Sequence, residues 1–306
     1  MELEKRSKLH YIAGIHTLSG TINCHVINID TSVKRCISEC NERTIKTAEK
    51  GYETYIKINP NKINGNAHPL NTNSDLICAL DVILDGLGVN ITEYNISRAD
   101  FKFDSYNSED FNLFAKLNRL LICCIAYTYS VKNCYQSKDL WTYENLSIAI
   151  KNDYFEVENY DKDKECRGTD PAKNRLEVRS KRLKNTNLEY EFSKLWFDRW
   201  DKSIKNYINV QLKYNDSLEK LYKDDLKKPK KNREYFNLSS FLMQYSDCIF
   251  CTKQLENLVS RFDCVSDSKN YAKNFKKNHK LEFFSFTDLK YAVNELKRAT
   301  RKFFNN

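Results

Sequence analysis

What is missing narrows the field first. No apolar run reaches the ~18 residues that a membrane-spanning helix needs. The opening MELEKRSKLHYIAG has neither the apolar stretch nor the small-residue cleavage site of a secretory leader. Internal repeats and low-complexity tails are absent as well. A disulfide framework is also missing: the 11 cysteines are an odd number without regular spacing, and Cys123 and Cys124 are adjacent. They are expected to be reduced thiols of a cytoplasmic protein. A single CxxC occurs, at Cys248 and Cys251, and with Cys264 and His279 it has the makings of a zinc site. No second CxxC supports that reading, and buried helical cysteines explain the motif as well. Histidines standing two apart around a hydrophobic residue are absent. The five histidines, His10, His16, His25, His68 and His279, are far apart and read as surface or satisfied core.

What is present is a globular chain of 306 residues, 41% hydrophobic and 30% charged, enough for one large domain or two ordinary ones. The charge is uneven. Lys184 to the end holds 25 basic and 16 acidic residues, against 25 of each before it, so the whole excess of +9 sits in the C-terminal part. A basic module beside a neutral one points to a polyanion, most often nucleic acid, with solubility as the plainer explanation.

The first part is strand-rich. GTINCHVINI and YETYIKI alternate as strands, and DVILDGLGVNITEYNISRADFKFDSY carries an apolar segment, a GLG turn and a strongly alternating run. NSEDFNLFAKLNRLLICCIAYTYS has helical spacing, with Asn107 or Ser108 as cap. LSIAI and YFEVENY flank the turn Lys151-Asn152-Asp153, and NRLEVRS follows a Gly- and Pro-containing loop. After residue 184 a long stretch without Gly or Pro reads as helices, then the basic tract KKPKKNR, then shorter helices including TKQLENLVSRF. The expected architecture is α+β. Residues 1–184 would form an antiparallel sheet with helices on one face, and residues 185–306 a basic helical, winged-helix-like domain.

Side chains alternate along a strand, so the charged strands can be sorted by face. In RADFKFD, Ala99, Phe101 and Phe103 share one face and Arg98, Asp100, Lys102 and Asp104 the other. In YFEVENYDK, Phe155 and Val157 oppose Tyr154, Glu156, Glu158, Tyr160 and, if the strand continues, Lys162. In RLEVRSK, Leu176 and Val178 oppose Arg175, Glu177, Arg179 and Lys181. If these strands are neighbours, Asp100, Asp104, Glu156 and Glu177 converge. Such carboxylates call for a hard divalent cation, Mg²⁺ or Mn²⁺. Arg175 and Arg179 would then grip phosphate oxygens, and Lys162 or the metal would favour the phenolate of Tyr160.

The order RADFKFD, a helix with KLNRLL, SIAIKNDYFEVENYDKDKE and DPAKNRLEVRSKRL resembles the rolling-circle replication initiators of plasmids and phages, nearest to the HUH-like Rep_trans branch. The similarity covers about residues 96–183. It matches Arg98 and Asp100 to an Arg-x-Asp strand, Tyr160 and Lys162 to a tyrosine-polar-lysine element, and Arg175, Glu177 and Arg179 to an R-x-E-x-R strand. The resemblance implies a metal-dependent nickase in which Tyr160 forms a 5′-phosphotyrosine and frees a 3′-OH primer. The missing histidine pair departs from the wider superfamily, although the HUH-like branch uses carboxylates instead. Origin DNA, as duplex and single strand, is the implied partner. A host helicase and a second copy of the chain are further candidates, and no membrane is. Arg98, Arg175, Lys181, Arg182 and the tract Lys227, Lys228, Lys230, Lys231 and Arg233 are the candidate DNA contacts, and TKQLENLVSRF the candidate groove helix. Alternatives are an origin-binding regulator that does not cut, a conjugative relaxase of the same fold, and a structural or RNA-binding protein whose charged sheet face is surface. The last is weakened because Phe101, Phe103 and Phe155 lie opposite the charges.

Overall fold

The structure, a computed structural model, describes residues 10–24, 26, 29–45, 51–63, 70–106, 111–134, 139–143, 146–167, 172–183, 187–281 and 283–306. Its elements divide into two compact units that interleave along the chain. A sheet unit takes in Leu9–Glu109, Lys151–Asp198 and Asn294–Asn306, and a helical unit Asp110–Ile150 and Arg199–Val293. The expected boundary at residues 184–187 falls partly on residues outside those described.

The sheet unit contains β1 (Ile12–Ile22), β2 (Ile37–Ile45), β3 (Gly51–Ile58), helix α1 (Asn73–Asp85) and β4 (Asn95–Ser105). After α2 (Phe111–Thr128), β5 (Lys132–Asn133) and β6 (Ile148–Lys151), it resumes with β7 (Phe155–Asp161), the short helix α3 (Lys162–Glu165) and β8 (Asn174–Lys181). Its strands run β2-β3-β1-β4-β8-β7, with antiparallel register at every pairing. This is the α+β arrangement that the alternating segments foretell.

One sheet face is apolar for the reason the alternation gives: Ala99, Phe101 and Phe103 of β4, Leu176 and Val178 of β8, and Phe155 and Val157 of β7 are all buried. The chain after β8, α4 (Leu188–Tyr190), a π turn at Glu191–Leu195 and α5 (Trp196–Ile204), supplies rings that cover this face. Phe192 stacks on Phe101 at 4.5 Å, and Trp196 meets Phe155 edge-on while its indole N–H donates to Ser180 Oγ at 2.7 Å. The turn between α1 and β4 needs its glycine: Gly88 has φ +71°, a left-handed conformation that costs other residues energy.

β1 differs from expectation. It runs from Ile12 to Ile22, so of GTINCHVINI only the first three residues are strand. β1 is held between β3 and β4, and its last partner is Thr54, opposite Ile22. Past that point the alternation of the sequence meets no neighbouring strand among the described residues. The proposed caps of α2, Asn107 and Ser108, lie outside those residues.

The helical unit holds α2, β5, most of β6, the end of α5, then α6 (Tyr207–Leu226), α7 (Leu238–Gln244), α8 (Thr252–Val259) and α9 (Ser268–Asn278), and the start of α10 (Phe286–Asn305). α6 buries Val210, Tyr214, Leu218 and Tyr222, one stripe at four-residue spacing. After β8 the described residues form no strand, so no hairpin wing of a winged helix is seen among them. No helix among the described residues is long and apolar enough to cross a membrane.

Candidate active site

The question that the alternation leaves open is whether the three charged faces are one face, and register answers it. β8 lies between β4 and β7. Arg179 stands opposite Asp100 on one side and Glu156 on the other; Glu177 opposite Lys102 and Glu158; Arg175 opposite Asp104 and Tyr160. All of these side chains project from the side opposite the phenylalanines.

Arg179 is the hub. Its guanidinium donates to Glu177 at 2.9 Å, to Glu158 at 2.8 Å and to Glu156, and stands 3.8 Å from Asp100. Asp100, Glu156 and Glu177 each have a further partner. Arg98 forks onto Asp100 at 2.8 and 3.0 Å, and Lys181 reaches Glu156 at 3.3 Å. Glu177, 1% exposed, accepts from the Tyr160 hydroxyl at 3.1 Å and has His16 Nδ1 at 3.4 Å from its other oxygen.

Electrostatics follow from this packing. Burial resists ionisation of Glu177, but the hydrogen bond and charge of His16 and the charge of Arg179 outweigh it and hold the carboxyl well below its usual range. Burial pushes Glu158 up, helped by the charge of Glu177 and opposed by Arg179. Burial, then the charge of Glu177, drives the Tyr160 phenol far above its ordinary value, with Arg175 working against them. Tyr160 is thus a protonated hydrogen-bond donor at neutral pH.

A second cluster lies at the far end of β4. Asp104, 1% exposed, is forked by Arg175 and held by Lys102 Nζ at 3.0 Å. Burial opposes its ionisation, yet the two cations keep its carboxyl below the normal range. Arg175 is itself 3% exposed, so the structure places this candidate DNA contact inside the protein, on Asp104.

Lys162 needs a correction. The strand does not continue through it: β7 ends at Asp161, whose carboxylate caps α3 by accepting from Lys164 N at 3.0 Å. Lys162 nevertheless stays beside the tyrosine, with Nζ 5.6 Å from the centre of the Tyr160 ring and ion-paired to Glu165. Two participants have no place among the sequence candidates. His16 is turned toward Glu177 at a register irregularity in β1 between Ile15 and Thr17, which no local pattern announces. Glu158 shares the face of Tyr160 by simple alternation.

The carboxylates Asp100, Glu156, Glu158 and Glu177 point at one place, as an oxygen-ligand metal site would require, but Arg179 fills it. Among the described residues no three His, Cys, Asp or Glu side chains are arranged to hold an ion. As arranged, the acids are occupied by the Arg179 guanidinium. The zinc candidates are also apart in role: Cys248 lies against Arg119, the Cys251 sulfur caps α8, and Cys264 is exposed.

The outlying basic candidates divide in two. Lys227 pairs with Asp224 at 2.7 Å, Lys228 with Asp225 at 2.8 Å, and Arg233 donates to the carbonyls of Lys228 and Leu226. Lys230 and Lys231 are exposed on a single turn of helix at Lys230–Asn232. Arg182 is exposed at the end of β8, with φ +59° and its guanidinium over the Tyr154 ring at 5.7 Å.

No known protein family and no curated protein matches the sequence. A solved structure, the rolling circle replication initiator protein from Geobacillus stearothermophilus, is similar to this chain at 8% identity and a TM-score of 0.30, with 94% of this chain and 97% of that one covered. A likeness so slight adds nothing to what the site itself supports.

Proposed function

We propose that this chain initiates rolling-circle replication of a plasmid or phage by nicking one DNA strand at the origin, with Tyr160 as nucleophile. One observation carries the reading: Tyr160 Oη donates to a buried carboxylate, Glu177, on a sheet face that also holds Arg98 and Arg179. A phenol paired with a proton acceptor beside guanidinium groups is what attack on a phosphodiester requires.

In this reading a phosphate laid on the face draws Arg179 and Arg98 to its non-bridging oxygens. Tyr160 Oη forms a bond to phosphorus as Glu177 takes the phenolic proton. The bond from phosphorus to the 3′ oxygen breaks, and that oxygen takes up a proton. The products are a 5′-phosphotyrosine and a 3′-OH, and the ester keeps the energy of the broken link. Lys162, close to the ring, favours the developing phenolate. Mg²⁺ or Mn²⁺ belongs to the proposal as a requirement to be tested, and the chemistry it would supply is neutralisation of phosphate charge. Residues 1–184 would do the chemistry and 185–306 would recognise the origin, with a host helicase and a second copy of the chain as further partners. The strongly raised phenol favours a second reading, an origin-binding protein that does not cut, because nothing at rest generates a phenolate.

The test uses supercoiled plasmid carrying the origin of the element that encodes the chain, with Mg²⁺ or Mn²⁺. Nicking with a covalent 5′ adduct, abolished by Tyr160→Phe, is the expected result. Equal nicking by Tyr160→Phe would dismiss the nucleophile assignment, and binding without nicking would select the second reading.

A further inference from the structure

Between Ser268 and Lys280 the sequence reads SKNYAKNFKKNHK, in which a Lys-Asn pair recurs every four residues: Lys269-Asn270, Lys273-Asn274 and Lys277-Asn278. α9 converts that spacing into geometry, because residues four apart share a helix face. The lysines form one stripe and the asparagines the next. All six side chains are exposed, while the helix is anchored by buried Ala272 and Phe275 on its other side. Asn274 Nδ2 donates to Asn270 Oδ1 at 3.2 Å, which links two of the three amides along the helix. They border an open groove of about 450 Å³ that includes Ser239 and His279.

After the N-cap Asp267, which borders the same groove, the charge on this segment is one-sided. It contains no acidic residue, and among the described residues Lys269, Lys273 and Lys277 have no ion-pair partner. The neighbouring α8 is the opposite case. Leu255, Leu258 and Val259 are buried, Lys253 is paired with Glu256, and just past its end Arg261 is held by Asp216 and Glu219. A surface carrying cations in one row and paired donor-acceptor amides in the next suits a ligand with phosphates flanking base edges.

We infer that α9 is the recognition helix of this chain and enters the major groove of duplex DNA. Asn270, Asn274 and Asn278 read base edges, adenine above all, since a carboxamide matches its N6 and N7. Lys269, Lys273 and Lys277 hold phosphates along one wall. This inference rests on the reading that the chain acts on DNA, and not on Tyr160 cutting it.

The full chain is used to select from a pool of duplexes with a randomised centre. The wild type and Tyr160→Phe enrich the same sequence, containing adenines spaced as the asparagines are. Each of Asn270→Ala, Asn274→Ala and Asn278→Ala relaxes choice at one position by about 5- to 150-fold, the ratio equivalent to about 1–3 kcal/mol per contact. Replacing all three lysines by glutamine keeps the selected sequence but lowers the slope of log affinity against log salt by about 2.7. Alanine and glutamine are good helix formers, and an unchanged melting temperature confirms folding. Selection of no sequence by the wild type, or an unchanged selected sequence and affinity when Asn270, Asn274 and Asn278 are all replaced by alanine, overturns the inference. Cutting by Tyr160 stands or falls separately, since Tyr160→Phe tests it on the same selected duplex.

Discussion

Arg179→Met is the most informative single change to the sheet face. The Arg179 side chain is 18% exposed, and its guanidinium serves Glu177, Glu156 and Glu158, with Asp100 nearby. Asp100 keeps Arg98 and Glu156 keeps Lys181. Glu177 and Glu158 lose their main cation, and Glu177 is almost fully buried. Removing one partner of a buried ion pair costs about 3–5 kcal/mol, because the other charge is left without compensation. At about 2–4 °C per kcal/mol for a chain of this size class, melting falls by roughly 6–20 °C at pH 7. The sign of the pH dependence is fixed by the shifts. In the parent, Glu177 has a lowered folded pKa, so its contribution is present above the ordinary carboxylate value and is lost as pH falls through the folded value. In the variant the acids favour their protonated forms, so the deficit narrows as pH falls toward ~5. Adding Glu158→Gln, which removes an acid whose pKa is already raised, recovers part of the loss. Titration of the variant with Mn²⁺ should also reveal tighter binding than in the parent, since four carboxylates then face an open position. Urea and thermal unfolding across pH measure the first effect. A loss below ~1 kcal/mol at pH 7, or one that does not shrink in acid, would refute the view of Arg179 as the internal counter-ion.

Other consequences are simpler. Asp104→Asn should destabilise by about 3–5 kcal/mol, because Arg175 and Lys102 are both buried against it; chemical denaturation will read this, and the parent's advantage should vanish as pH falls through the lowered pKa of Asp104. Phe101→Ala should cost about 3–5 kcal/mol, since the ring is fully buried between Phe103, Phe192 and the end of α10; a smaller loss would mean that the site collapses to fill the hole. Tyr160→Phe should cost about 1.5–3 kcal/mol of stability, since a donor to buried Glu177 is lost, while removing cleavage outright, so melting and nicking assays separate its two roles. Native alkylation should label Cys78 and Cys264, whereas Cys36, Cys123, Cys124 and Cys248 should react only after unfolding.

Much of the sheet face is readable from the chain, and its limits have a physical cause. Alternation is a local property, so assigning Arg98, Asp100, Lys102 and Asp104 to one side and Phe101 and Phe103 to the other needs no knowledge of neighbours. Pairing is not local. That Arg179 falls between Glu156 and Asp100, and that Glu177 faces Glu158, depends on strands far apart in sequence coming together in one register. The convergence of acids could be anticipated from their strands, but a guanidinium at its centre could not, because its position is set by two registers at once. His16 shows the same limit more sharply: a β-bulge turns it, and nothing around it in sequence predicts the bulge. Lys162 is the reverse case. Asp161 followed by Lys-Asp-Lys-Glu carries a helix-start pattern, and local capping there overrides continuation of the strand. α9 combines both situations. Its Lys-Asn spacing is visible in the chain, whereas its meaning depends on which side is buried. Only with Ala272 and Phe275 turned inward do both stripes face outward, and only then do lysines and asparagines form a surface to which a duplex could bind.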